Sequence, residues 1–298
     1  MSRIVITGAA GFVGSYVISH LLAHGYDVTA ITNARELNIR SERLTVVQAN
    51  VCDETFVQKI SQDIGHCHAV VHLAADTNVP GDGQTIMVNC LGTYHVTELA
   101  NRLGADKVIY MSSVPVIGSP IYIPVKEDHP LQPKTLYHIT KLTGESIVNQ
   151  VGRPEMAKII LRIPSPIGRG MRHHTFLYRL LEQCYKGQDL SIYGAGKRVQ
   201  NYIDVRDIAE AVGLSIVKEA EGIFLIAGKS ISNLQLAENC VAYTNAGVQI
   251  HLGSVEDTEE SDRWELSGER AKETLGFAPQ YDLKETIEWI YSGLQEEE

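Results

Sequence analysis

The feature that most constrains this 298-residue chain is a glycine-rich turn close to its start. Gly8, Gly11 and Gly14 follow the apolar, β-branched run Ile4-Val5-Ile6-Thr7 and precede an apolar-periodic stretch from Phe12 to about His24. Such a run is typical of a buried strand, and the periodic stretch is typical of a helix. Glycines at this spacing let the backbone turn tightly and approach a neighbour or a ligand closely. The pattern therefore predicts a strand, a sharp turn and a helix.

A turn of this kind is suited to a phosphate group. The first N–H groups of a helix have no partner within the helix, and the helix dipole favours an anion at that end. A glycine-rich turn after a strand and at the start of a helix is typical of dinucleotide-binding proteins. We predict that a dinucleotide pyrophosphate binds here. The alternative is an ordinary glycine-rich connection between a strand and a helix.

Short apolar runs alternate with helical patterns through the first half of the chain. The strand-like runs are residues 4–7, 28–31, 44–47, 69–72, 108–111 and 159–161, and the helix candidates cover residues 12–24, 54–62, 83–103 and 136–151. Short buried strands separated by helices indicate an α/β protein with a parallel sheet covered on both faces. We predict a doubly wound parallel sheet, whose ligand site lies at the carboxyl ends of its strands.

Several motifs resemble one known family. The spacing G-x-x-G-x-x-G, rather than G-x-G-x-x-G, resembles the short-chain dehydrogenase/reductase superfamily, and TGAAGFVGS is similar to its extended branch, the NAD-dependent epimerase/dehydratase family. Supporting strings along nearly the whole chain are VHLAA, VNCLGT with Asn89, YMSSVPVIG, EDHPLQPKTLYHITK and YIDVRDIAEA. The resemblance implies a Rossmann-type sheet, an NAD(P) cofactor and hydride transfer at a carbinol or carbonyl carbon.

The regular alternation ends at Pro164-Ser165-Pro166, after which glycines mark loops among shorter elements. We expect residues 1–164 to form the NAD(P)-binding domain. Residues 165–298 are expected to form a smaller C-terminal substrate-binding lobe, with some segments returning to the first domain.

Tyr137 and Lys141 lie four residues apart at the start of a predicted helix, so they share one face. A free tyrosine has a pKa of ~10, and a nearby ammonium group favours the phenolate and lowers that value. We expect Lys141 to have this effect on Tyr137. The resemblance implies that Tyr137 exchanges a proton with the substrate hydroxyl, that Lys141 also holds the nicotinamide ribose, and that Ser113 hydrogen-bonds the reacting oxygen. The alternative is a helix-surface pair without chemistry.

The second strand ends without the acidic residue that normally binds the adenosine ribose of NAD. Thr32 stands there, so no carboxylate repels a 2′-phosphate, and Arg35 offers charge-assisted hydrogen bonds to that group. We therefore favour NADP over NAD. The alternative is that Arg35 is a solvated loop charge. The residues expected to contact the cofactor are Gly8, Gly11, Phe12, Val13, Gly14, Thr32, Asn33, Arg35, Asn50, Val51, Leu73, Ala74, Ala75, Asn89, Tyr137, Lys141 and Pro164.

Candidate substrate contacts lie in the second half of the chain. Gln200 stands where the family usually has an arginine for a sugar-linked diphosphate, and Ser165 stands where it usually has an asparagine. Both departures weaken the diphosphate-sugar assignment. The residues expected to contact the substrate are Ser113, Ser165, Arg172, His173, Arg198 and Gln200.

Three functions remain open. The first is an epimerase of a sugar or nucleotide sugar, and the second is a reductase or dehydrogenase that exchanges NADP(H) at each turnover, acting on a ketosugar or a non-sugar carbonyl compound. The third is a catalytically silent dinucleotide sensor, which the intact Tyr137 and Lys141 disfavour. Family dehydratases carry an Asp-Glu pair directly after the catalytic serine or threonine, whereas Val114 and Pro115 stand here, so we do not expect a dehydratase.

The formal net charge of -10 argues against a nucleic-acid partner. Five scattered cysteines, an apolar start too short for a signal segment, and the lack of a membrane-spanning run favour a cytoplasmic protein without membrane contact. The pairs around Cys67 and at His173-His174 lack further ligands, so no metal site is predicted. The resemblance implies a homodimer formed by the helices near residues 83–103 and 136–151.

Overall fold

The structure is a computed structural model that describes residues 2–253 and 255–296. In these ranges no helix is both long and apolar enough to cross a membrane. The strands are β1 (Arg3–Thr7), β2 (Asp27–Thr32), β3 (Leu44–Gln48), β4 (Ala69–His72), β5 (Lys107–Ser113), β6 (Ala157–Ile163), β7 (Ser165–Ile167), β8 (Leu190–Ile192), β9 (Val199–Asp204), β10 (Gly222–Leu225), β11 (Lys229–Ser232) and β12 (Ile250–Leu252). The α-helices are α1 (Phe12–Ala23), α2 (Phe56–Asp63), α3 (Gly83–Ile86), α4 (Gly92–Arg102), α5 (Leu136–Val151), α6 (Phe176–Tyr185), α7 (Val205–Val217), α8 (Asn233–Thr244) and α9 (Leu283–Glu296).

The predicted doubly wound sheet is confirmed. Among the described residues, seven parallel strands pair in the order β10-β6-β5-β4-β1-β2-β3. The order reverses beside β1, because the chain fills positions towards β3 first and then crosses to β4 on the other side. This reversal leaves a crevice at the carboxyl ends of β1 and β4, where open α/β sheets bind ligands.

Apolar residues cover both faces of the sheet. Along β1, Ile4 and Ile6 pack in a cluster with residues of α1 and α7 on one face. Val5 points the other way and packs in a cluster with residues of α2, α4 and α5. Since successive strand residues alternate between faces, this explains why the central strands are continuously apolar in sequence.

The second half of the chain contributes to two regions. β10 extends the large sheet beyond β6, and α7 packs on α1. The remaining strands pair in two small sheets, in the orders β11-β9-β7 and β12-β8. A separate apolar cluster joins these small sheets to α6, α8 and α9. The small sheets and their helices lie beyond the carboxyl end of β6.

The helix predicted over residues 83–103 contains an irregularity that the sequence pattern does not indicate. α3 and α4 are joined by a single π-helical turn, Met87–Leu91. This turn carries Asn89, which is buried. A π turn inserts an extra residue and is often found at functional sites, where it redirects one side chain.

Candidate active site

The turn between β1 and α1 has the geometry of an anion cradle. Gly8 adopts a positive φ of 69°, and a Cβ there would stand 2.5 Å from the backbone nitrogen of Ala74. A Cβ on Gly14 would collide with the carbonyl oxygen of Gly8. Gly11 precedes α1 without a side-chain cap on the helix N–H groups. The turn therefore fits a dinucleotide pyrophosphate, because it brings uncapped backbone donors close to the space that side chains would otherwise fill.

A chain of buried hydrogen bonds supports this turn from beneath. His72 Nδ1 lies 2.7 Å from Thr7 Oγ1, and His72 Nε2 lies 3.0 Å from Thr93 Oγ1. Thr93 already donates its hydroxyl proton to the carbonyl of Asn89, so His72 Nε2 donates to Thr93 and Nδ1 accepts from Thr7. Burial, with a smaller effect of the Lys141 charge, lowers the pKa of His72 to about 3. His72 is a neutral structural bridge between β1 and α4.

A cavity of about 870 Å³ connects the glycine turn with the predicted chemical residues. It lies at the carboxyl ends of β1, β4, β5 and β6, as the sheet order requires. The sequence-predicted residues that line it are Gly8, Gly11, Phe12, Val13, Gly14, Arg35, Leu73, Ala75, Ser113, Tyr137, Lys141, Pro164, Ser165, Arg172, Arg198 and Gln200. One continuous space thus adjoins the predicted cofactor, catalytic and substrate residues.

Ser113 ends β5, whereas Tyr137 and Lys141 occupy the first two turns of α5. Thr135 caps that helix by accepting from the backbone N–H of His138. Burial raises the pKa of Tyr137 to about 12, although Arg172 and a hydrogen bond with Ser113 lower it. Burial also lowers the pKa of Lys141 to about 7, against the opposing charge of Glu145.

These values differ from the sequence-based expectation that Lys141 lowers the pKa of Tyr137. Arg172, rather than Lys141, is the foremost positive charge acting on the phenol. The physical reason is that both Tyr137 and Lys141 are removed from water, which penalises the phenolate and the ammonium alike. With a pKa of about 7, Lys141 carries only part of its charge at neutral pH. In these surroundings Tyr137 is therefore a neutral phenol at neutral pH.

The residues predicted to hold the adenosine lie at the ends of β2 and β3, and most of them are outside the cavity lining. Thr32 is buried at the end of β2, and Asn33 is exposed. The side chain of Asn50 accepts from the backbone N–H of Cys52 at 3.0 Å. Val51 is buried beneath Gly92. Arg35 alone of this predicted group reaches the cavity.

Three further predicted contacts, Ala74, Asn89 and His173, are outside the cavity lining. Asn89 donates to the Asp76 carbonyl at 2.9 Å and to Thr140 Oγ1 at 3.0 Å, and it accepts from the Asp76 backbone N–H at 2.8 Å. It therefore fixes the segment after β4 to α5. The ring of His173 stacks on Tyr178 with centroids 4.3 Å apart, and the neighbouring His174 lines the cavity instead.

The far end of the cavity is polar and largely charge-paired. Arg198 Nη2 lies 2.6 Å from Glu259 Oε2, and Gln200 donates to Asn233 Oδ1 at 3.0 Å. Asp262 accepts from Ser119 at 2.9 Å. Arg172 reaches the carbonyl of Thr77 at 3.4 Å. This end presents both signs of charge within one wall of the cavity.

Sequence reasoning missed several cavity-lining residues. Glu259, Asp262 and Trp264 belong to the segment between β12 and the second π-helical turn, Ala271–Leu275. This segment crosses from the small sheets to the cavity by way of isolated bridges to Val125 and Val199. No local pattern indicates such long-range pairing. Thr77 and His138 also line the cavity, and their positions beside VHLAA and Tyr137 were a usable signal.

In the ranges that the structure describes, no group of three or more His, Cys, Asp or Glu side chains is arranged to hold a metal ion. All five cysteines are free thiols, and three of them are buried.

Comparisons with known proteins agree with this geometry. A family model described as the NAD dependent epimerase/dehydratase family matches residues 4–227. The chain is 28% identical to a UDP-glucose 4-epimerase of Corynebacterium glutamicum, with 97% of this chain and 95% of that protein covered. It is 25% identical to a dTDP-glucose 4,6-dehydratase of Streptomyces niveus, with 96% and 92% covered. A solved structure of a Bacillus cereus UDP-glucuronic acid 4-epimerase, in complex with UDP-glucuronic acid and NAD, has a TM-score of 0.86 at 22% identity and covers 99% of this chain and 100% of that chain.

Proposed function

Because this chain belongs to the NAD-dependent epimerase/dehydratase family, we propose that it oxidises and re-reduces one carbinol carbon of a nucleotide sugar and so inverts that carbon. The observation that carries this proposal is the single cavity in which Ser113, Tyr137 and Lys141 adjoin the glycine turn. The nucleotide-sugar epimerases among the relatives support the substrate class.

The residues that would hold the dinucleotide are the glycine turn at its pyrophosphate and Lys141 at its nicotinamide ribose. When bound, the oxidised nicotinamide supplies a hydride acceptor and a positive charge. Tyr137 Oη takes the proton of the substrate hydroxyl during oxidation and returns it during reduction. Ser113 donates a hydrogen bond to the reacting oxygen, which stabilises the charge that develops on it.

The charges around Tyr137 decide when it can act as a base. Its pKa of about 12 favours the phenol. Arg172 favours the phenolate, as does a charged Lys141, and the positive charge of a bound oxidised nicotinamide would add to theirs. Tyr137 then receives the substrate proton as a phenolate, and only when the cofactor is bound.

Inversion requires that the ketone present its other face before it is reduced. The cavity continues from the glycine turn past Tyr137 to Arg198 and Gln200, so the nucleotide would stay bound at that far end while the sugar ring turns beside Tyr137. The mixed charges of Arg198, Glu259 and Asp262 suit a polar substrate portion at the far end.

We further propose that this protein does not catalyse dehydration, although dehydratases are among its relatives. Elimination of water needs an acid and a base close to the catalytic serine, and Val114 and Pro115 occupy the two positions after Ser113. Among the described residues, the carboxylates that line the cavity are those of Glu259 and Asp262, which are engaged by Arg198 and Ser119. Incubation with dTDP-glucose should therefore release no 4-keto-6-deoxy sugar, and formation of that product would contradict the exclusion.

The test of the main proposal is product analysis on freshly purified protein with a panel of UDP-sugars. Chromatography of the nucleotide sugars should reveal an epimer at equilibrium, without a net change in absorbance at the nicotinamide band. Denaturing mass spectrometry on the same sample identifies any dinucleotide retained by the protein. An absence of epimers across the panel would overturn the proposal.

A second candidate function is a reductase that exchanges NADP(H) at each turnover. The observation that favours it is Arg35, an exposed cation on the cavity wall beside a β2 that ends in Thr32 rather than in a carboxylate. A guanidinium there suits a 2′-phosphate, and we keep NADP as the preferred cofactor. A stoichiometric absorbance change with a carbonyl substrate would distinguish this reaction from epimerisation.

Replacement of Arg35 by alanine tests the cofactor preference. We expect the Kd for NADP to rise by about tenfold, while the Kd for NAD stays within about twofold, because a charge-assisted bond to phosphate is worth about 1.5 kcal/mol or more. Arg40, a neighbouring exposed arginine outside the cavity lining, is the matched control. Equal losses of affinity for the two dinucleotides would mean that Arg35 does not contact the 2′-phosphate and is only a solvated charge.

We also propose a homodimer in the cytoplasm. The helices through which the resemblance implies a dimer expose the apolar side chains of Ile86 on α3, Met87 on the π turn, Tyr94 on α4 and Ile139 on α5. Five free thiols suit a reducing compartment. Light scattering should give twice the chain mass of 32.9 kDa, and a monomer at micromolar concentration would contradict the dimer.

A further inference from the structure

Helix α5 carries a third ionisable residue on the face that holds Tyr137 and Lys141. Glu145 lies one turn beyond Lys141, so the three residues follow at intervals of four and share one helix face. Glu145 does not line the cavity, and it is only 3% exposed. A carboxylate so far from water requires partners that compensate the loss of hydration.

Two residues provide those partners. Arg162 on β6, which is 1% exposed, donates from Nε to Glu145 Oε1 at 3.0 Å and from Nη2 to Oε2 at 2.8 Å. Ser112 on β5 donates its hydroxyl to Glu145 Oε1 at 2.5 Å. Arg162 also donates to the backbone carbonyl of Glu127 at 3.2 Å. The Glu145 carboxylate therefore joins two strands to α5.

The bonds of Glu145 lie directly beside the residues that we assign to catalysis. Ser112 directly precedes Ser113, and both residues line the cavity. The Ser112 hydroxyl binds Glu145, whereas the Ser113 side chain hydrogen-bonds Tyr137. The carboxylate thus ties the strand end that carries Ser113 to the helix that carries Tyr137 and Lys141. A shift of β5 relative to α5 would break the Ser112 bond and separate Ser113 from Tyr137.

Glu145 also determines the charges that Lys141 faces. The Lys141 ammonium lies 4.4 Å from the centroid of the Tyr110 ring on β5, and His72 faces it from β4 in a neutral form. Glu145 from its own helix is the carboxylate that opposes the lowering of its pKa by burial. Among the described residues, the other charged groups that act in this region are Arg162 from β6, which binds Glu145, and Arg172 and Asp76, which act on Tyr137.

Stability alone gives a weak reason for this arrangement. A buried ion pair often contributes no more than well-packed apolar side chains of similar volume. Resting on the proposed function, we propose that Glu145 is a positioning residue of the reaction, which fixes the strand end that carries Ser113 against the helix that carries Tyr137 and places a negative charge one turn from Lys141. Arg162 holds the carboxylate in place and limits its effect on Lys141.

Opposite changes of charge separate this role from a structural one. Glu145→Gln removes the negative charge and leaves Arg162 unopposed, so the titration midpoint of Lys141 should fall by about one pH unit. Arg162→Gln leaves the Glu145 charge unopposed, so the midpoint should rise. A purely structural pair predicts loss of stability in both variants without opposite shifts.

The measurement is an NMR titration of the ligand-free full chain labelled with carbon-13 at the lysine side chains, in which Lys141 is identified by the signal lost in Lys141→Met. Asp204→Asn is the matched control, because Asp204 is another buried carboxylate that makes a two-pronged bond to an arginine, Arg206. It should leave the Lys141 midpoint within about 0.3 unit, which is small beside the unit expected for Glu145→Gln. Midpoints that stay constant, or that move in the same direction in both pair variants, would overturn the charge role. If either Glu145→Gln or Arg162→Gln does not fold, the direction in which the other variant shifts the Lys141 midpoint decides whether the charge role holds.

Ser112→Ala tests the positioning role, since it keeps both charges and removes the bond to β5. We expect kcat to fall by about tenfold at an unchanged Lys141 midpoint, with a smaller effect on KM. An unchanged kcat would overturn the positioning role. If the unaltered protein turned over no nucleotide sugar, the proposed function would fail while the lysine titration could still succeed, so the two failures are distinguishable.

Discussion

Tyr137 illustrates how single residues here depend on a filled site. Burial makes its phenol hold a proton tightly, and the groups that favour release of that proton are Arg172 and Ser113. Removal from water disfavours the phenolate, so Tyr137 needs a further positive charge to act as a base, and an oxidised nicotinamide bound beside it would supply that charge. The oxygen of Tyr137 is then the atom on which proton transfer depends.

We predict that Tyr137→Phe lowers kcat by at least about 10²-fold, because removal of a general acid–base has an effect of that size. The phenyl ring keeps its packing, so dinucleotide affinity should stay within about threefold. Initial rates of product formation and equilibrium dialysis measure the two quantities. Retained turnover in a folded variant would contradict the catalytic assignment.

Gly8 is the residue on which the anion cradle depends. We predict that Gly8→Ala weakens dinucleotide binding by more than about tenfold, since the new Cβ meets Ala74 and displaces the turn from the phosphate. Isothermal titration calorimetry with NAD and NADP measures the loss.

Gly187→Ala is the matched control for that substitution. Gly187 has a positive φ of 65°, close to that of Gly8, but a Cβ on Gly187 would meet no neighbouring atom within 4 Å. The variant should lose about 1 kcal/mol of unfolding free energy from backbone strain alone and keep its dinucleotide affinity. Equal affinities in the two variants would mean that close approach at Gly8 has no part in binding.

At the scale of elements, the segment between β4 and α3 links the helix start to the site. Asp82 accepts from the backbone N–H of Thr85 at 3.1 Å, and Thr85 Oγ1 donates to Asp76 Oδ2 at 2.6 Å. The carbonyl of Pro80 accepts from the backbone N–H of Tyr137 at 3.0 Å. The cap of α3 therefore orders a loop that holds the start of α5.

We predict that Asp82→Ala lowers the unfolding free energy by about 1 kcal/mol, as loss of a helix cap does, and also raises KM several-fold. Ser232→Ala is the control, because Ser232 forms the same kind of capping box with Gln235 on α8, outside the cavity lining. It should lose similar stability and leave KM unchanged. Urea unfolding and steady-state kinetics measure the two effects, and parallel changes in KM would contradict the link to the site.

The elements that were predicted from sequence are those whose own residues form a strong local pattern. The runs beginning at Ile4, Val28, Ala69, Val108 and Ile159 are strands because buried strands of a parallel sheet are apolar on both faces. The run beginning at Leu44 is also a strand, but it lies at the edge of the sheet and is partly exposed. The glycine turn was located from the spacing of its glycines, and the helix that carries Tyr137 was located from its own local pattern. The π turn at Met87–Leu91 and the approach of Trp264 to the cavity had no local signal, since both depend on contacts between distant segments. The division at residues 164 and 165 stays a prediction.

At the scale of the whole molecule, the charge states of buried groups make stability depend on pH. His72 has a folded pKa of about 3 and an unfolded pKa of ~6.5, because its two ring nitrogens are satisfied in the neutral form between Thr7 and Thr93. A group with a lowered folded pKa stabilises the fold above its unfolded pKa. That contribution is lost as the pH falls from about 6.5 towards 3.

Asp207 acts in the opposite direction over part of this window. Burial raises its pKa to about 6, against the hydrogen bonds that it accepts from the backbone of Gln280 and Tyr281. Its protonated form is favoured by folding, so its contribution grows as the pH falls from about 6 towards ~3.8. The contribution of His72 to the pH dependence of stability is therefore obtained only by comparing the unaltered protein with a variant of His72.

We predict that the unaltered protein loses about 2 kcal/mol more unfolding free energy than His72→Gln between pH 7 and pH 5, because 1.5 units below the unfolded pKa correspond to about that energy. Glutamine keeps a donor and an acceptor for Thr93 and Thr7 but does not titrate. Urea unfolding at a series of pH values gives the two curves, and their difference should widen steadily below about pH 6.5 and be flat above it. Parallel curves would mean that His72 is already solvated, and that the bond chain beneath the glycine turn opens without unfolding the sheet.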